Sequence, residues 1–244
     1  MNKKWLLIGG LGAVVAVLAV WFLFFRSDAP DAVDVDAANA QLDEDLASAD
    51  DGGAAGFDGD VNGEWIIDDD IGDFDFETAS GSFAGFRVDE ELTVGSVVAV
   101  GRSGGVTGSL TIADGQLTAA EVTVDMNAIV SNDSRREGAI RRAVGASTNP
   151  TATFVLGDPV DLPDGLADGD TVTIEAVGSL TVNGVTNPTT FTINALVRDD
   201  GFGVVTGSTA IVFADFDVTP PSAPIVVSID DNGIVEFQLV VAKG

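Results

Sequence analysis

The sequence has no cysteine, no histidine and no tyrosine. Without cysteine there is no disulfide and no thiolate nucleophile, and without histidine no imidazole base. Together these absences remove nearly all zinc, copper and haem ligation. Catalysis would have to rest on carboxylates, hydroxyls or guanidinium groups. Positive charge is scarce too: 11 Lys and Arg face 39 Asp and Glu, for a formal charge of −28. Such a surface repels nucleic-acid phosphates and anionic lipid headgroups. Apolar residues are not scarce. They make up 45% of 244 residues, with a mean hydropathy of +0.30, enough for the core of a good-sized domain.

Charge is missing altogether from Trp5 to Phe25. As a helix this run spans about 30 Å, the hydrocarbon thickness of a bilayer, so residues 1–26 are expected to form a single transmembrane anchor. Lys3 and Lys4 precede the run and every acidic residue follows it. That asymmetry places the N-terminus in the cytoplasm and the remainder outside the cell membrane. A cleaved signal peptide is the competing reading, but its apolar region is about 7–15 residues long with a small-residue cleavage site directly after it. Here Phe22 to Phe25 and Arg26 stand in that place, and Ala38-Asn39-Ala40 lies too far downstream. Residues 27–61 hold 11 acidic residues and no basic one, the composition of a disordered, self-repelling linker with a reach of about 30 Å. A short helix over Ala37–Ala47 is compatible with it.

The stretch from Asp58 to Asp69, DGDVNGEWIIDD, has the early oxygen ligands and the glycine of a calcium loop. It lacks the Glu at the twelfth position and the flanking helices that an EF-hand needs. It reads instead as the entry to a first strand, so no metal site is expected. Beyond Glu64 the pattern has period two, as in Thr171–Ala176 and Thr190–Ala195. Turn pairs punctuate it at Asp114-Gly115, Asn183-Gly184, Asp200-Gly201 and Asn232-Gly233, which gives about nine short antiparallel strands in a barrel or sandwich. One segment, Ser131 to Val144, has capping residues first, helical apolar spacing and Gly145 as a stop, and is expected to be an inserted helix.

That helix carries Arg135, Arg136, Arg141 and Arg142. These form either a positive lip for an anionic or carbonyl headgroup or a solvated face paired with Asp133 and Glu137. Gly201 to Gly207 opens no helix and reads as hairpin glycine rather than a nucleotide loop. Carboxylate runs such as Asp68-Asp69-Asp70 and Asp89-Glu90-Glu91 carry little information in so acidic a chain. No catalytic residue and no cofactor are expected, and the protein does not read as an enzyme. Ten phenylalanines spread over the strands suit either a packed core or a barrel interior that holds a long apolar ligand.

The motifs Ser82-Phe83-Ala84-Gly85-Phe86-Arg87-Val88-Asp89-Glu90-Glu91-Leu92, Ala99-Val100-Gly101-Arg102 and Val106-Thr107-Gly108-Ser109-Leu110-Thr111-Ile112 resemble the YceI-like family. The likeness continues through Val122–Met126, Arg135–Ile140, Asn149–Phe154 and Gly178–Pro188, and closes on Phe213–Val218 and Gly233–Leu239. It covers nearly all of residues 63–244, in order. The resemblance implies an all-β, lipocalin-like antiparallel barrel of about eight strands with one inserted helix, over residues 62–244. It also implies an elongated apolar pocket, in a family that is periplasmic or secreted and some of whose members hold polyisoprenoid chains. The family's Arg-Asp-x-His-Leu motif is replaced here by Arg136-Glu137-Gly138-Ala139-Ile140, and an anchor and acidic linker are added. On the matching motifs, Phe86, Phe154, Phe191 and Phe213 are expected to line the pocket, with Arg87 and Arg102 as polar anchors. The resulting expectation is an anchored extracytoplasmic carrier with a long-chain lipid or isoprenoid as its partner. The rival is a filled barrel whose surface meets a protein partner.

Overall fold

The computed structural model describes residues 29–48, 56–93, 95–222, 224 and 226–244. The expected anchor at 1–26 lies outside them. Among the described residues no helix is long and apolar enough to cross a membrane.

Thirteen strands belong to one sheet: β1 Gly63–Ile67, β2 Phe83–Leu92, β3 Gly95–Ser103, β4 Val106–Ala113, β5 Gln116–Asp125, β6 Val130–Ser131, β7 Thr151–Leu156, β8 Val160–Asp161, β9 Val172–Val182, β10 Val185–Val197, β11 Phe202–Val212, β12 Val226–Ile229 and β13 Asn232–Lys243. Among the described residues two α-helices accompany them, α1 Val35–Ser48 and α2 Ser134–Ala143. The order β1-β4-β5-β7-β9-β10-β11-β13 returns to β1 through Trp65 opposite Lys243 and Ile67 opposite Val241. Eight antiparallel strands thus close a barrel and leave the ring no free edge. β2 takes the other half of the same edge of β13, from Ile234 opposite Arg87 to Gln238 opposite Phe83. β3 and the short β6 continue outward from β2. The sheet is therefore the barrel the resemblance implies, with more strands than period-two spacing alone suggests.

Local chemistry sets the turns and the helix. Asp114-Gly115 joins β4 to β5 and Asn183-Gly184 joins β9 to β10, both residues of each pair having positive φ. Such two-residue loops match the right-handed twist of the flanking strands. Asn232-Gly233 makes no turn but opens β13. α2 begins where the Asp133 carboxylate accepts from the Arg135 N–H, which satisfies a free donor of the first turn. Gly63 is the first residue of β1, so the Asp-rich stretch before it leads into a strand.

Within the expected linker at 27–61, Val35–Ser48 form α1, the short helix that the composition allows, and it is docked. In this helix Val35, Ala38 and Leu42 are buried, at the three- and four-residue spacing of one helical face. They pack on Leu196, Phe202, Val204 and Val240 on the outside of the barrel. Arg198 fixes the helix from below, 2.7 Å from Asp43 and 2.6 Å from Asp200. Ahead of α1, the carbonyls of Pro30 and Asp31 accept from Arg87 and that of Asp31 also from Arg102. Acidic composition alone reads as a repelled chain. Three apolar residues on one face, given an apolar surface to cover, are enough to dock it.

Candidate functional site

The barrel is hollow. A cavity of about 610 Å³ runs through it, within the usual range for a site that holds one small molecule. Alternation supplies its wall: Phe191, Ile193 and Ala195 from β10, Val235, Phe237, Leu239 and Val241 from β13, and Ala120, Val122 and Val124 from β5. On β5 the inward series steps by three between Leu117 and Ala120. A register shift against β4 at Thr111/Ile112 absorbs the extra residue, as a bulge does. From Leu117 to Val124 the lining covers seven steps of strand, about 23 Å at 3.3 Å per residue. Trp65 and Leu166 close one end and are buried. The exposed lining residues, Arg135, Ser222 and Pro224, all belong to the other end, which is therefore the mouth. α2, the loop over Pro220 and Pro221, and β12 surround it.

Four of the six expected site residues meet in this cavity. Phe86, Phe154, Phe191 and Phe213 all line it. Phe154 and Phe191 stand edge to face with ring centroids 5.1 Å apart, and Phe237 adds a third ring 5.5 Å from Phe191. Phe86, Phe237 and Phe213 each press against a glycine on a neighbouring strand, at Gly101, Gly207 and Gly233. The missing Cβ is what lets the rings lie back along the wall, and a Cβ at Gly101 would come within 2.5 Å of the Phe86 ring.

Arg87 and Arg102 are placed differently. Neither lines the cavity. Both reach Glu236 on the outer face of the barrel, Arg87 Nε at 2.8 Å and Arg102 Nη2 at 3.3 Å. Glu236 is 1% exposed and Arg102 3%, so this is a buried ion cluster beneath the segment that leads into α1. Arg102 also sits 4.3 Å above the Phe83 ring. Burial pulls the Arg102 guanidinium below its ordinary pKa, and Glu236 opposes the shift. The expectation of polar anchors facing a ligand is corrected. β2 alternates, and Arg87 has the parity opposite to Phe86, so it points outward.

The expected contacts leave out the residues at the two ends. At the closed end Trp65 donates its indole N–H to Val61 O at 2.9 Å, which leaves its ring to the cavity. At the mouth, Arg135 pairs with Asp133 at 2.8 Å and Arg141 lies 3.7 Å from Glu137, the solvated-face arrangement. Arg136 does not follow it: its Nη2 lies 3.0 Å from Oε2 of Glu90, which is 7% exposed and lines the cavity. Burial raises the Glu90 carboxyl above its ordinary value, Arg136 opposes this, and Asp133 adds to it.

The YceI-like domain model matches residues 75–241 of the chain. Comparison with curated proteins returns no match. Among solved structures, a polyisoprenoid-binding domain from Saccharophagus degradans superposes with a TM-score of 0.54 at 21% identity, covering 74% of this chain and 98% of its own. BcnA of Burkholderia cenocepacia gives 0.48 at 19% identity, covering 65% of this chain and 95% of that one. The YceI protein of Campylobacter jejuni gives 0.43 at 16%, covering 59% and 84%. By the span of the matched domain, and in accord with its barrel, the chain belongs to the YceI-like family.

Proposed function

We propose that the protein is an extracytoplasmic binding protein that shields one long apolar chain, of the isoprenoid class, inside its barrel. The observation that carries this reading is the cavity: about 610 Å³, lined almost wholly by aliphatic and phenyl groups and open at one end. Desolvation drives entry, at about 25 cal/mol per Å² of apolar surface buried. Phe86, Phe154, Phe191 and Phe213 are the proposed contacts, with Phe237 beside them. The polyisoprenoid-binding description of the Saccharophagus degradans domain supports the ligand class. The uncharged run from Trp5 to Phe25, behind two lysines, supports a membrane anchor and an external barrel. The hollow interior favours this reading over a filled barrel with a protein partner.

The test is native mass spectrometry of the full-length chain purified from a bacterial envelope, followed by organic extraction. A retained species that extracts as a long-chain lipid is the expected result. A bare polypeptide mass that stays bare after incubation with isoprenoids and fatty acids overturns the proposal.

A further inference from the structure

Of the inward positions of β2, one is not apolar. Ala84, Phe86 and Val88 face the cavity, and Glu90, next in the alternation, is on the same wall at the mouth. Glu90 is more than nine-tenths buried, and its Oε2 accepts no hydrogen bond. Arg136 Nη2 is 3.0 Å away, close enough to balance the charge but not aligned as a hydrogen bond. The oxygen therefore still lacks a donor, which is costly for a buried carboxylate. Asp133 and Arg135, the other charged residues lining the mouth, are paired with each other. Glu236, also along the lining, is committed to Arg87 and Arg102 on the outer face. The four charged residues that line the mouth sum to zero.

We propose that Glu90 is the headgroup site of the cavity, and that it selects an apolar chain ending in a neutral hydrogen-bond donor, an alcohol or phenol, over one ending in phosphate or carboxylate. The assignment rests on the lipid-binding reading and deepens it. A hydroxyl at the end of the chain donates to the Glu90 carboxylate through its other oxygen, Oε1, with Arg136 left beside Oε2. An ester or hydrocarbon end leaves the carboxylate without a donor. An anionic end is brought against Glu90 and Asp133 and must draw Arg136 away from its partner, within a protein of charge −28.

The experiment uses one chain with three ends: geranylgeraniol, geranylgeranyl acetate and geranylgeranyl phosphate displace N-phenylnaphthylamine from the full-length protein held in amphipol. The alcohol is expected to displace the probe at about a tenfold lower concentration than the acetate, the size of one hydrogen bond to a charged group, and the phosphate to be weakest. Glu90→Leu should erase the difference between alcohol and acetate. The isosteric Glu90→Gln, which frees Arg136, should turn the preference toward phosphate, and thermal melting checks that both variants fold. Equal displacement by the three ends, a preference for phosphate in the unaltered protein, or an alcohol preference that survives Glu90→Leu overturns the headgroup assignment and leaves the lipid reading standing. If neither the probe nor any of the chains binds, the lipid reading itself falls and the headgroup site with it.

Discussion

Three consecutive carboxylates, Asp89, Glu90 and Glu91, look alike in the sequence, and strand alternation separates them. Asp89 and Glu91 are exposed while Glu90 is buried. A carboxyl raised by burial binds its proton more tightly in the folded than in the unfolded chain. Its contribution to stability is therefore complete below the ordinary Glu value of 4.5 and is lost as pH rises through the folded value. Denaturant titrations at a series of pH values should show a decline above pH 4.5 that is absent from Glu90→Gln; equal slopes in the two proteins would show that Glu90 is solvated. Glu236 behaves otherwise, since two guanidiniums depend on it. Glu236→Ala leaves Arg102 and Arg87 without their counter-charge and should cost about 3–5 kcal/mol in chemical unfolding.

At the scale of elements, α1 and the glycine-backed rings carry separate consequences. Leu42 is fully buried between α1 and the barrel. Leu42→Ala should destabilise by about 2–5 kcal/mol and speed amide exchange over residues 35–48 before the barrel strands respond. Exchange that stays slow throughout would mean that the remaining contacts of α1, Arg198 with Asp43 among them, hold it without Leu42. On the wall, Gly101→Ala displaces the Phe86 ring toward the cavity. The longest isoprenoid that displaces the apolar probe should become shorter than for the unaltered protein. Two turns of this scale, Asp114-Gly115 and Asn183-Gly184, were legible from residue pairs that favour positive φ, while Asn232-Gly233 opens a strand instead. The bulge on β5 was not. Nothing in Leu117-Thr118-Ala119-Ala120 distinguishes a shifted register from a regular one, so the inward faces could not be assigned beyond it.

For the whole molecule the dominant quantity is the charge of −28. Mutual repulsion of carboxylates opposes the compact state, and salt screens it, the screening length falling from about 10 Å at 0.1 M to about 3 Å at 1 M. The melting temperature should rise over that range of sodium chloride, with the buried Glu236 cluster contributing little to the change. A fall would place surface ion pairs, such as Arg198 with Asp43, above repulsion in the balance. The closed barrel resists the same repulsion in another way, since the ring is complete and its core is continuous from Trp65 through Leu239 and Val241 to Ile174.

The sequence by itself determined the strand class, the two hairpin turns, the single inserted helix and, through its ordered motifs, the family. These depend on period, on turn chemistry and on residue identity, all of which are local. It also placed four phenylalanines in the cavity by resemblance. Only the tertiary structure decided that the barrel is hollow, that residues 35–48 are a docked helix rather than a tether, that Arg87 and Arg102 turn away from the cavity, and that Glu90 alone of its neighbours turns in. Each of these depends on which surface stands opposite a residue. A wall of Phe and Val looks the same in sequence whether another side chain or empty space faces it. An acidic helix with three apolar residues is stable only because Leu196, Phe202, Val204 and Val240 lie across from it.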